Sequence, residues 1–452
     1  MYDFCVVGNG SVGLMTAYEL VKNFPDKKVA LIGPKSQFGS ASIAAGAMHA
    51  VFAEIESHFE SNKGDQKQFE LAQKSKKYWD NFFDTFGKEA LTAKDTLLYL
   101  KNLDNPFEIA NYKVATKIAS EHQVLRNASN KEIKDYTNLS KYEEVVVIEG
   151  EFAFCPLTVC RQLYNYLEKQ QNFTIIDDFV TEIGSDFVLL ERNVKIFTHT
   201  TIVANGAAAY DLLKDYGCMP VYQGVGTAII VDSKTIDYGN DYVVRTVNRG
   251  GAQCGLHVVP RADGTHYIGA GNYLAEYDDR SDHRLETVRY LTAIAEDDIL
   301  GEKNVYNMRG SLTHGKRPRS FDGWPLFGRL RDNNNIIVAT GWNRVGLSLS
   351  PLIASEIIST IKDENDLCLT GWDPDRQPIS FGDEDVCAKF FAESRCANLI
   401  EHKILEPNSQ EYQTKYEELF QLSKVYNNRI TKELDLDSGL GIHPDLYGIL
   451  IS

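Results

Sequence analysis

The sequence predicts an α/β protein: a Rossmann-type dinucleotide-binding domain assembled from separated segments, an inserted and largely antiparallel sheet, and a helical C-terminal extension. Three observations carry that prediction. The chain opens on an apolar run, Phe4 to Val7, that leads straight into Gly8-x-Gly10-x-x-Gly13, an amphipathic stretch from Leu14 to Phe24 and a second apolar run, Val29 to Ile32. Residues 219–274 are strand-rich, with turn signals at 248–251 and 263–264. Two amphipathic helical patterns, 384–402 and 409–434, lie in an acidic tail.

The opening segment reads strand, glycine turn, helix, strand, which is the unit that seats a dinucleotide pyrophosphate on a helix N-terminus. Gly8 permits the tight turn, Gly10 lets backbone N–H groups of the Ser11–Val12 turn approach phosphate, and Gly13 lets helix pack closely on sheet. Such units usually carry an acid at the end of the second strand to bind a ribose hydroxyl, and here Gly33 stands there. The ribose then falls to the backbone of Gly33 and Pro34 or to Lys35 and Ser36. A missing acid beside Lys and Ser also suits a 2′-phosphate, which keeps an NADP reading open.

Composition bounds the rest. The 452 residues, 43% hydrophobic and 24% charged, are ordinary for a globular protein of two or three domains. No apolar run approaches the ~18 residues of a membrane span. The first strand begins at the N-terminus without a basic leader, so export is not expected. Eight cysteines are scattered without a CxxC pair, which reads as reduced thiols in a cytoplasmic protein rather than a disulfide frame or zinc site. No metal cluster and no Ser/His/Asp constellation stands out. The net charge of −16 argues against nucleic acid or an anionic membrane as partner. Much of it sits in residues 363–452, where 18 Asp/Glu face 8 Lys/Arg.

Along the chain, a small-residue segment runs from Gly39 to Met48. Residues 63–92 are charged and helical in pattern, with Phe69, Trp79, Phe82, Phe83 and Phe86 as apolar anchors, and a mixed stretch follows to about Ser140. Residues 145–148 read as a strand, 156–170 as a helix, 174–176 and 179–183 as extended, and 201–204 as a buried strand before Asn205-Gly206. Residues 283–300 look helical, and 335–339 form a closing strand before a glycine-rich turn and a helix at 351–361. The division that follows is a nucleotide-binding domain of 1–55, 141–215 and 315–372, a substrate domain of 56–140 and 216–314, and an extension of 373–452. The extension is expected to be a helical hairpin packed on the body. The alternatives are a lid, a homo-oligomer contact or a docking module for a protein partner.

Six motifs in order resemble the superfamily of FAD-dependent D-amino-acid, glycine and sarcosine oxidases, over Met1 to about Asp363. They are the glycine triplet; Ser40-Ala41-Ser42-Ile43-Ala44-Ala45-Gly46-Ala47-Met48; Ile202-Val203-Ala204-Asn205-Gly206-Ala207; Val259-Pro260-Arg261 through Ile268-Gly269-Ala270; Lys316-Arg317-Pro318-x-x-x-Asp322-Gly323-x-Pro325; and Ala339-Thr340-Gly341-Trp342-Asn343-Arg344-Val345-Gly346-Leu347-Ser348. The resemblance, closest to glycine oxidases, implies FAD. It assigns flavin and pyrophosphate contacts to Ser40, Ser42, Ala44, Ala45, Gly46 and Met48, to Val180, to Ala204, Asn205 and Gly206, and to Gly341, Asn343, Arg344, Val345, Gly346, Leu347 and Ser348. Relatives that attach flavin covalently use a cysteine just before the Arg-Pro region. Residues 309–330 contain none, so the FAD is expected to be noncovalent.

The same resemblance implies that Arg317 grips a substrate carboxylate and that Arg344 is a second arginine near the flavin. A guanidinium gives a planar, permanent, bidentate grip; the competing reading of Arg317 is an ion pair with Asp322 or another acid. Lys316 is either an anion contact, an oxygen-activating cation or a solvent-facing lysine. His49, just after the flavin loop, either faces the flavin or is structural. Trp342, Tyr222 and Tyr273 are candidate pocket walls. One departure is Cys155, where the family normally has Asp before the proline. The implied activity is oxidation of the C–N bond of an amino acid or N-substituted amino acid. Oxidation of a 2-hydroxy acid is the runner-up, and a dinucleotide-binding module working through its acidic tail is the non-enzymatic alternative.

Overall fold

The computed structural model describes the chain except residues 102, 137–141, 143, 233–240, 251–254, 277–283, 301–308 and 452. Gly251 of the expected turn, Cys254 and the first residue of the expected helix 283–300 therefore lie outside the described residues.

The first sheet is built where the sequence placed it. Tyr2–Val7 pairs in parallel with Val29–Ile32 on one side and with the second half of Lys195–Val203 on the other. Phe173–Ile176 extends one edge, and Asn333–Thr340 the other, both in parallel. Leu326–Leu330 then closes on Asn333–Thr340 as an antiparallel strand. Val29–Ile32, Phe4–Val7 and 336–339 are buried on both faces and read as continuous apolar runs, whereas the edge strand Phe173–Ile176 is partly exposed. The first half of Lys195–Val203 turns away to pair with Phe187–Leu190, which pairs with Val180–Ile183, making an antiparallel ribbon.

The second sheet runs Gly310–Ser320, Val221–Asp232, Thr265–Ala275, His257–Pro260, Tyr242–Arg245, Asp95–Tyr99, Val145–Ile148, Leu125–Asn127. Neighbours are antiparallel except the parallel pair Tyr242–Arg245 and Asp95–Tyr99. Val145–Ile148 thus belongs with this sheet, although the boundary drawn at 141 put it with the nucleotide half. Gly310–Ser320 crosses the boundary drawn at 315.

Helix Lys63–Phe86 starts on Asn62, whose side chain accepts from the N–H groups of Gly64 and Asp65, and ends at Gly87 with φ 89°. The helical pattern expected to 92 stops there, and Leu91–Ala93 is a strand. Trp79, Phe82 and Phe83 are buried in the main core. The mixed stretch before Ser140 holds the strand Asp95–Tyr99 and the helix Pro106–Glu121. The expected helix 283–300 is α-helical only over Leu285–Ala295 and continues as a π-helical turn, Glu296–Leu300.

The tail forms two antiparallel-packed helices, Glu384–Glu401 and Gln410–Glu433, followed by short turns at Pro444–Leu446 and Tyr447–Leu450. Phe391, Ile430, Ile442, Leu446 and Tyr447 share one buried cluster with Val221, Tyr222, Phe321 and Leu326 of the body. No described helix is long and apolar enough to cross a membrane.

Candidate active site

A cavity of about 820 Å³ runs from the tips of the parallel strands to the second sheet. Helix Ser11–Asn23 points its N-terminus at it. Its N-cap is Gly10, which offers no side-chain acceptor to the first-turn N–H groups; Ser11 and Val12 border the cavity, and the Ser11 N–H donates to Ser42 Oγ at 3.0 Å. Of the residues assigned from sequence, Gly8, Gly10, Ser11, Val12, Gly33, Pro34, Ser40, Ser42, Ala44 and Ala45 line it, as do Val180, Ala204, Asn205 and Gly206. So do Lys316, Arg317, Asn343, Arg344, Gly346 and Leu347.

Other assignments fall elsewhere. Gly13 packs helix on sheet and is not part of the wall. Lys35 and Ser36 are exposed and leave the cavity; the Lys35 N–H donates to Asp177 Oδ1 at 2.8 Å. Gly46 abuts the His257 and Tyr267 rings. Met48 turns into a small apolar cluster with Ala93, Ala153 and Val243, because Met48–His49 pairs with Phe152–Phe154 and so leaves the flavin loop. His49 is corrected for the same reason: its ring is buried and stacked on Phe152 at 4.7 Å, outside the cavity, and burial pushes its imidazole down to about 4. Gly341 and Val345 border a second, smaller cavity instead. The Ser348 carbonyl accepts from Ser75 and Trp79, each at 2.7 Å, which anchors the glycine-rich turn to helix Lys63–Phe86.

Two acids that line the cavity were not disclosed by the sequence. The Asn9 side chain lies against Gly33 and donates to the Pro34 carbonyl at 2.9 Å, occupying the place of the usual acid's side chain. Asp178 and Glu191, flanking the antiparallel ribbon, line that end of the cavity. The Cys155 departure is structural: Cys155 is the N-cap of Pro156–Leu167 and provides no side-chain cap, the role an aspartate would fill there.

At the other end the strand Gly310–Ser320 pairs with Val221–Asp232 without a break, placing residues 315, 317 and 319 on one face. The Arg317 guanidinium lies over Gly226, where a Cβ would stand 2.1 Å from Nη2, and donates from Nη1 to Asn272 Oδ1 at 2.8 Å. Among the described residues it forms no ion pair. Asp322, the acid that competed for it, is held by Arg376 Nη2 at 2.8 and 2.7 Å. Asn343 N–H donates to the Pro318 carbonyl at 2.7 Å, which fixes the turn carrying Arg344 beside this strand. Arg344 Nη1 approaches Glu54 Oε2 at 3.5 Å, and Glu54 Oε1 takes Arg245 Nη1 at 2.7 Å. Burial opposes ionisation of Glu54, yet the Arg245 and Arg344 guanidiniums hold its carboxyl below the ordinary range. Tyr222 and Tyr273 are buried in apolar clusters rather than in the cavity wall, whereas Trp342 lines it.

The cavity fits a flavin dinucleotide on its own chemistry. Beside the uncapped helix N-terminus, it is bordered by two buried groups without a hydrogen-bond partner among the described residues, the acceptor Asn205 Oδ1 and the donor Trp342 Nε1. No group of metal-ligating side chains occurs among the described residues.

Solved structures with the same fold include glycine oxidase from Geobacillus kaustophilus, at 19% identity, TM-score 0.69, covering 83% of this chain and 99% of that one. Iminodiacetate oxidase from Chelativorans sp. BNC1 aligns at 16% identity, TM-score 0.67, covering 82% and 98%. L-alpha-glycerophosphate oxidase from Mycoplasma pneumoniae, with FAD bound, aligns at 18% identity, TM-score 0.66, covering 83% and 98%. No curated protein matches the sequence significantly. Residues 3–359 match the DAO family, described as FAD dependent oxidoreductase, and the chain belongs to that family of FAD-dependent enzymes.

Proposed function

We propose that the enzyme oxidises the C–N bond of an amino acid or N-substituted amino acid whose carboxylate is held by Arg317. The observation that carries this reading is the free fork of Arg317: half-buried, facing the cavity, tethered by a neutral amide and unmatched by any described acid. A guanidinium so placed attracts a carboxylate strongly, because the low local dielectric raises the value of a charge-assisted bidentate pair.

Residues of this chain then do positioning work. Asn272 fixes the fork of Arg317, and Gly226 leaves it room. Arg344 and Arg245 share Glu54, so their charge near the site is partly neutralised and the stronger anion contact is left to Arg317. The bound FAD supplies hydride acceptance, and the chain's part is to hold the substrate α-carbon with its amine neutral beside it. The imine product is released to hydrolysis, which needs no acid–base dyad from the protein. We also infer cytoplasmic residence, supported by seven free thiols among the described cysteines.

The test is an anaerobic screen. The purified protein is expected to be yellow, and amino acids or N-methyl amino acids are expected to bleach it where 2-hydroxy acids do not. Bleaching by hydroxy acids alone would overturn the assignment. Gly226→Ala is expected to displace the Arg317 guanidinium and raise KM by about 10-fold or more, with the bound-flavin absorbance retained. Steady-state kinetics beside a visible spectrum check it.

A further inference from the structure

The wall of the large cavity holds two side chains that the packing of the fold does not use. Phe179 lines the cavity, is 39% exposed and belongs to neither of the two large apolar clusters. Its backbone is nevertheless fixed from both sides. The Phe179 N–H donates to Asp178 Oδ1 at 2.7 Å, and its carbonyl accepts from the Glu191 N–H at 2.9 Å. Asp178 is braced in turn by Arg192 Nε at 3.2 Å. The Glu191 carboxylate also lines the cavity, and among the described residues it accepts no hydrogen bond and forms no ion pair.

Strand order indicates which part of the cofactor reaches these two residues. Tyr2–Val7, Val29–Ile32 and Phe173–Ile176 are parallel neighbours in that order, so their C-terminal tips stand in a row, about 4.8 Å from strand to strand. The glycine turn after the first strand suits the pyrophosphate, and in such units the ribose lies at the tip of the second. Here that tip is Gly33, where a Cβ would stand 2.5 Å from Asn9 Cγ, so an acid in its place would displace the Asn9 side chain. Lys35 and Ser36 leave the cavity. Phe179 follows the tip of the third strand, with Glu191 bonded to it. Adenosine offers an aromatic face and hydroxyl donors, the complements of a phenyl ring and a carboxylate.

We propose that Phe179 stacks on the adenine of FAD and that Glu191 accepts from the ribose hydroxyls, replacing the acid absent at Gly33. Asp178 and Arg192 are positioning residues that hold the backbone under the ring. A carboxylate at the ribose repels a 2′-phosphate, so the same pair selects FAD over a 2′-phosphorylated dinucleotide. Neither contact touches the substrate, so both stand whether or not Arg317 grips a carboxylate.

The test uses the full-length chain, stripped of flavin and refilled. FAD affinity is read from quenching of flavin fluorescence, with ADP and adenosine 2′,5′-bisphosphate titrated as competitors. The rate of FAD release from the yellow protein on dilution is read in parallel. Phe179→Ala is expected to raise the FAD dissociation constant about 10- to 100-fold and to weaken ADP by a similar factor, with the spectrum at saturating FAD unchanged. Glu191→Gln is expected to weaken FAD about 5- to 10-fold. ADP is expected to compete at least about 10-fold better than the 2′-phosphorylated nucleotide, and Glu191→Gln to narrow that gap. Phe179→Trp keeps an aromatic face, so it is expected to hold FAD and to add indole emission that ADP quenches. FAD affinity and release unchanged in Phe179→Ala, or added indole emission unmoved by saturating ADP, overturns the stacking. Equal competition by the two nucleotides, or FAD affinity unchanged in Glu191→Gln, overturns the ribose contact.

Discussion

A chain ended at Asp373 is expected to accumulate as aggregated, colourless protein. Five buried residues of the extension, Phe391, Ile430, Ile442, Leu446 and Tyr447, complete a cluster that also holds Val221, Tyr222, Phe321 and Leu326. At about 1.5–3 kcal/mol for each large apolar side chain, their loss removes roughly 7–15 kcal/mol of burial. A whole domain is stable by only about 5–15 kcal/mol. Truncation also strips Asp322 of its counter-charge: Arg376 donates to both carboxylate oxygens and the Ile379 N–H to Oδ2 at 3.0 Å, leaving only Ser320 Oγ and the Trp324 N–H on Oδ1. A buried carboxylate left behind costs about 3–5 kcal/mol more. Solubility and flavin absorbance of the truncated protein check this. Soluble yellow protein with an unchanged melting temperature would mean the extension is a passenger. Arg376→Ala isolates the ion-pair part and is expected to lower the melting temperature while the apolar cluster stays intact.

The parts of this fold that were legible in the sequence are those governed by local periodicity. The strands at Tyr2–Val7, Val29–Ile32 and Val145–Ile148 and both tail helices begin and end within a few residues of their expected positions. What periodicity does not report is which sheet a strand joins. Val145–Ile148 pairs with Asp95–Tyr99 across about fifty residues, and nothing in its own four residues indicates that. Helix Pro106–Glu121 was hidden by polar residues on its inner face, since Glu108 and Asn111 are both buried. Its start was nevertheless signalled by Asn105, whose side chain caps Phe107 and Glu108, with proline in the first turn.

The candidate site divides the same way. Gly8, Gly10 and Arg317 were legible as candidates, and all three line the cavity, because what they offer is intrinsic to the residue type. His49 was not, because closeness in sequence to the flavin loop does not say which way a strand turns its side chains. Asp178 and Glu191 reach the cavity beside Gly33 and Pro34 from a ribbon some 145 residues beyond the strand whose acid is missing, so only the folded chain brings them there. Arg319 was legible as a residue, but its burial beside the tail residues Phe381, Phe390, His443 and Asp445 was not.

Arg317→Ala is expected to lower kcat/KM by about two orders of magnitude or more while the flavin spectrum stays that of the unmodified protein. The size follows from removing one side of a charge-assisted, partly buried pair, which costs about 2–5 kcal/mol in comparable complexes. The spectrum should survive because Arg317 reaches the cavity from the second sheet, whereas the glycine turn and the phosphate-facing helix end belong to the first. How the loss divides is informative. A grip made equally in the bound and reacting states appears in KM alone, and a grip that also sets the angle of the α-carbon lowers kcat too. Arg317→Lys separates the two, since lysine restores charge without the fork. Recovery of KM with kcat still depressed would assign orientation to the fork held by Asn272. Unchanged saturation kinetics in Arg317→Ala would instead leave the carboxylate to Arg344, which would then have to loosen its hold on Glu54 at 3.5 Å in order to bind substrate.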